Sequence, residues 1–155
     1  MSERILAPGM APTPFTADEI RQGCPDGHWT LRRIEDRRGV RYQRDRYVGG
    51  DATHVTLEQH AADAGGTVSG QPRRSRPSSR ELQAHASFPA DATTVAEEAV
   101  ELPIGTLACR RYEVVRDGRA MRFWFADAHP GMPVRYEVED ATVTVIGIGD
   151  GEELA

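Results

Sequence analysis

The sequence predicts a mainly β protein, a single curved antiparallel sheet in the form of a half-barrel or open barrel, with two short helices. Three observations carry that expectation. Polar and apolar residues alternate through "RRYEVVR", "RAMRFWFA" and "PVRYEVE", the period of strands that bury one face. The dipeptide Asp117-Gly118 joins two of these runs, and a type I′ hairpin turn needs positive φ at both of its central residues. Capping boxes at Thr16/Glu19 and Ser78/Glu81 each open a helix too short to stand without packing on something.

A chain of 155 residues, 39% hydrophobic and 28% charged, has the composition of one globular domain, and residues 15–150 are assigned to it. Residues 1–14, rich in Pro and Ala, are expected to form a flexible arm, available to a protein partner. In "FTADEI", Phe15 and Ile20 stand at the staple positions around the first capping box, and Gly23 suits the stop of a helix near 17–22. "HWTLRRIE" and "VRYQRDRYV", separated by "DRRG", predict a hairpin, with Val40 and Tyr42 on one face; "THVTLEQ" adds a strand facing with Val55 and Leu57. "ADAGGTVSGQPRRSRPSS" reads as an exposed loop. The second box opens a short helix with Leu82 and Ala86 on one face and Pro89 beyond it. "TTVAEEAVELP" is compatible with a helix capped by Thr94 and Glu97 or with a strand, and is assigned to a strand because a sheet follows directly.

The Asp-Gly loop allows the register to be written out. Arg116 faces Arg119, and outward from it Val114/Met121, Tyr112/Phe123 and Arg110/Phe125 share one face. The other face holds Glu113/Arg122, Arg111/Trp124 and Cys109/Ala126, with Arg111 expected over the indole. A further hairpin turning at Asp140-Ala141 sets Val134, Tyr136 and Val138 beside Val143 and Val145. The sheet is thus expected to have one apolar side.

All 19 basic residues are arginine, for the chain has neither lysine nor asparagine. Schiff-base catalysis, a lysine-containing phosphate loop and N-glycosylation are therefore excluded. The net charge is −5, with 13 Arg against 10 acidic residues in 1–80 and 6 against 14 in 81–155. An acidic total argues against nucleic acid as a partner. Seven arginines between Arg32 and Arg46 are expected to form a solvated outer face. No stretch is long and apolar enough to span a bilayer, and "MSERILAPGMAPTPF" lacks the apolar segment of a secretory signal, so a cytoplasmic location is expected.

Cys24 and Cys109 have no metal-binding spacing and are either buried free thiols or a bridge between the N-terminal segment and a central strand. His54 and His60, flanked by Asp51 and Asp63, allow a metal site to be drawn, but no metal or cofactor is expected. Asp127 and His129 form an Asp-x-His pair without a partner nucleophile, so no catalytic set is assigned.

The segments "ELQAHASFP", "GTLACRRYEV" and "FWFADAHPGMPVRYE" resemble a group of uncharacterised bacterial proteins related to the lipoprotein-carrier half-barrel fold, the LolA-like type. The resemblance spans about residues 78–148 and implies a strongly curved antiparallel sheet partly enclosing short helices. The best-known members of that fold carry lipid-modified proteins across the periplasm, which requires an export signal. Fold is therefore implied more than activity.

The expected function is a non-enzymatic binding or carrier domain for a hydrophobic small molecule or lipid-like partner. Its ligand-binding residues are expected to be Tyr112, Met121, Phe123, Phe125, Met132 and Tyr136. The alternatives are a structural or interaction subunit of a larger assembly and a small enzyme using the His129 loop. A cavity of roughly a few hundred cubic ångströms among those aromatics separates a carrier from a filled core.

Overall fold

A computed structural model describes residues 3–151. In chain order the elements are α1 (Ala17–Gly23), β1 (Trp29–Asp36), β2 (Gly39–Val48), β3 (Thr56–Ala62), β4 (Val68–Ser75), α2 (Ser79–Ala84), β5 (Thr93–Leu102), β6 (Gly105–Arg116), β7 (Arg119–Ala126), β8 (Arg135–Val138) and β9 (Ala141–Gly149). The strands form one antiparallel sheet in the order β4-β3-β2-β1-β9-β8-β7-β6-β5, which does not close into a barrel. Two meanders, β1–β4 and β5–β9, are joined by the β1–β9 pair. Because β4 and β5 are the two edges, the chain that links them carries α2 from one side of the sheet to the other.

Local chemistry explains most of these elements. Asp117 and Gly118 take φ of 52° and 75°, and the β6–β7 register runs from Arg116/Arg119 to Cys109/Ala126 as the two-residue loop requires. Both capping boxes form: the side chains of Thr16 and Ser78 accept the backbone N–H of Glu19 and Glu81, whose carboxylates accept the cap N–H in return. Phe15 and Ile20 are buried together in the main core. Gly23 is the last residue of α1 rather than a left-handed stop; a Cβ there would sit 2.8 Å from the Pro130 carbonyl oxygen, so the helix end and the 127–134 loop approach through a missing side chain.

The structure corrects several expectations. Residues 68–75 are not loop but the edge strand β4, since β3 would otherwise leave its outer backbone groups unpaired. The register of β4 slips opposite Gln59–Ala61, near Pro72 and Gly70 (φ 69°), devices suited to an edge. The last hairpin turns at Glu139-Asp140, with Glu139 at φ 56°, and not at Asp140-Ala141. Residues 3–14 pack against the domain: Ala11 N–H donates to the Phe88 carbonyl, and buried Thr13 receives the side-chain amide of buried Gln83. The prolines that suggested a free arm instead restrict its backbone, so that packing it leaves little conformational freedom to lose.

The sheet also has apolar residues on both faces, not one. The first core, under α1 and α2, gathers Phe15, Ile20, Tyr47, Leu57, Phe88, Tyr112, Val114 and Phe125. A second cluster holds Cys109, Trp124, Ala126, Val134 and Val145, with Val100, Leu102 and Leu107 from the β5–β6 tip packed against it. Cys109 and Trp124 point to the face opposite Tyr112 and Phe125 by strand parity, so Cys24 and Cys109 belong to different clusters and are unbridged.

Candidate ligand cleft

A cleft of about 380 Å³ opens on the face covered by the helices. Its position follows from the crossover: α2 and Phe88 pass over the sheet but do not fill the space between β3 and β8. Phe88 stacks on Phe123 with ring centroids 5.1 Å apart, and Phe123 stacks on Tyr136 at 5.9 Å. Phe123 and Tyr136 are directly opposed across β7 and β8, which places both rings on one face. Met132 and Pro133 close one side, Leu82 and Ala86 form the roof, and Tyr47 and Leu57 reach in from β2 and β3.

Of the six residues expected to bind a ligand, Phe123, Phe125, Met132 and Tyr136 line this cleft. Tyr112 and Met121 do not. Tyr112 is buried beneath it, its hydroxyl donating to the Pro12 carbonyl at 2.7 Å and its ring set edge-on to Phe125. Met121 packs against the edge of the same core. The N-terminal segment covers that part of the sheet, which strand parity alone does not reveal. Phe123 is half-buried, as expected of a wall that faces open space, whereas Phe125 is buried. The parity argument misses Phe88 because it lies in the crossover; Tyr47 and Leu57 are cross-strand partners and were legible only once the β2–β3 register was known.

A polar strip crosses the same face of β1–β4. Arg32 Nη2 lies 3.0 Å from Asp45 Oδ2, both side chains almost wholly buried, and Gln43 Nε2 donates to Asp45 Oδ1 at 2.8 Å. Arg32 Nη1 donates to the Tyr136 hydroxyl at 3.5 Å, and Arg73 donates twice to Gln59 Oε1. This corrects the expectation of a solvated arginine face, because Arg32 and Arg44 are both buried. On the opposite face Arg135, not Arg111, lies over Trp124, at 5.5 Å; Arg111 and the indole N–H instead share the Glu98 carboxylate.

The structure offers no reactive centre among the side chains considered for one. Burial pushes the Cys24 thiol up to about 12, against a smaller opposing effect of its Tyr47 contact, so it is a packing group near neutral pH. Burial also raises Tyr47 well above its ordinary range. No hydrogen bond joins Asp127 to His129; the carboxylate faces Arg110 Nε at 3.4 Å. Asp51 accepts the backbone N–H groups of Thr53 and His54 and pairs with Arg76, which makes it a loop anchor rather than a metal ligand. Among the described residues no group of three or more His, Cys, Asp or Glu side chains comes together to hold a metal.

No protein-family model and no curated protein matches the chain. The functional reading therefore stands on the cleft. Among the described residues no helix is long and apolar enough to cross a membrane.

Proposed function

We propose that the protein is a non-enzymatic carrier or binding domain for a hydrophobic, lipid-like ligand, held between the aromatic wall of β7–β8 and the α2 crossover. The observation that carries this is the unfilled cleft of about 380 Å³ walled by Phe88, Phe123, Tyr136, Met132 and Leu57. A cleft of this size, lined mainly by apolar and aromatic side chains with a few polar groups, has the general character of a small-molecule site. The LolA-like resemblance belongs to the same proposal, being supported by an open antiparallel sheet with short helices on one face.

A neutral fluorescent hydrophobe such as Nile red tests it. Saturable binding to the wild type, weakened about tenfold or more in Tyr136→Ala, is the expected result. Absence of binding by the folded wild type overturns the proposal.

A further inference from the structure

The polar strip beside the cleft adds what the aromatic wall lacks: hydrogen-bond donors left over on the cleft side. Arg73 Nε and Nη2 both donate to Gln59 Oε1, at 3.1 and 2.6 Å. That pins the amide, leaving Gln59 Nε2–H as the free group, and nothing among the described residues accepts from it. The Tyr136 hydroxyl already accepts from Arg32, so its own hydrogen is available. Gln59 and Tyr136 both line the cleft. The neighbouring carboxylate, Asp45, is fully buried, accepts from Gln43 at Oδ1 and is ion-paired with Arg32 at Oδ2, which has no hydrogen-bond partner; it does not line the cleft. Arg32 itself, 7% exposed in its side chain, keeps Nε without a hydrogen-bond partner.

We infer that the ligand is an amphipathic anion, its apolar chain lying on Phe88 and Phe123 and its hydrogen-bond-accepting head group at Gln59 and Tyr136. This rests on the carrier role proposed above. An anionic head answers the free donors with charge-assisted bonds and lies near the guanidinium of Arg73. Among the described residues no carboxylate lines the cleft to answer a cationic head, and a chain without a strong acceptor leaves the donors of Gln59 and Tyr136 unpaired. A carboxylate and a phosphate monoester both satisfy this chemistry.

The test is displacement of Nile red by four amphiphiles that share a dodecyl-length chain, used below their aggregation concentrations: dodecanoate, dodecyl phosphate, dodecanol and dodecyltrimethylammonium. Either anion is expected to displace the probe at about tenfold lower concentration than the alcohol or the cation, and the better of the two anions identifies the head group. In the paired variant Gln59→Leu/Tyr136→Phe the preference for the anions over dodecanol is expected to be lost. In Gln59→Glu the preference is expected to turn towards the cation, which provides a second readout if the paired variant is poorly folded. Equal or tighter binding of the alcohol or the cation by the wild type overturns the head-group assignment and leaves the cleft proposal standing. If Nile red does not bind at all, the carrier proposal fails and this inference fails with it.

Discussion

Phe88, in the crossover between the two edge strands, lies almost parallel to Phe123 of β7, with ring centroids 5.1 Å apart and planes inclined by 22°. That contact joins the crossover to the sheet and forms one wall of the cleft. It makes the chain between α2 and β5 part of the site, although nothing in its periodicity marks it so. Around it, neighbouring aromatics on one strand face differ in degree: both line the cleft, but Phe125 is buried in the core, while half-buried Phe123 borders open space.

This difference is measurable. Phe125→Ala is expected to cost about 3–5 kcal/mol in chemical denaturation, the range for a fully packed aromatic, and Phe123→Ala about 1–3 kcal/mol because part of its surface already faces the cleft. Probe binding is expected to fall in Phe123→Ala even under conditions where that variant is fully folded. Equal losses of stability in the two variants would show that the space beside Phe123 is closed.

The Arg32–Asp45 pair is a second case in which position decides the outcome. Both side chains are withdrawn from water, 7% and 0% exposed, with Nη2 and Oδ2 3.0 Å apart. Asp45→Ala leaves a buried guanidinium without its counter-charge and is expected to destabilise the fold by about 3–5 kcal/mol. The double replacement Arg32→Met/Asp45→Leu is expected to recover much of that loss, since desolvation of both charges is removed along with their attraction. A double variant no more stable than Asp45→Ala would mean that the packing around the pair, rather than its charge, sets the cost.

Acid should loosen the loop between β2 and β3. The backbone N–H groups of Thr53 and His54, together with Arg76, hold the Asp51 carboxyl well below the usual carboxylate range. A folded-state pKa below the unfolded value contributes stability that is complete above the unfolded value and is lost as pH falls through the folded one. Amide exchange at Thr53 and His54 is therefore expected to accelerate, after correction for intrinsic rates, only at strongly acidic pH, and to be fast at neutral pH in Asp51→Ala. Unchanged protection in that variant would show that the backbone of the loop holds its shape without the carboxylate.

Some of this protein is written in local sequence. The Asp117-Gly118 turn dictated the β6–β7 pairing because a left-handed pair of residues closes a two-residue loop with the twist of the flanking strands, and every partner then follows by counting. Thr16/Glu19 and Ser78/Glu81 marked both helix starts for an equally local reason: the cap and its acceptor are three residues apart. Alternation sorted Phe123, Phe125 and Tyr136 onto one face.

Alternation did not say which members of that face meet solvent, core or cleft. That was decided by segments distant in sequence: Pro12 and Phe15 cover Tyr112 and Phe125, while α2 and Phe88 bridge β3 to β8 and leave space above Phe123. The burial of Arg32 likewise depends on Asp45 from the paired strand, the partner that compensates its charge away from water. Short-range rules determine turns, caps and faces because their interacting groups are chain neighbours. The cleft is what remains unfilled after the two meanders join through β1 and β9 and the crossover packs over them, so only the tertiary structure places it.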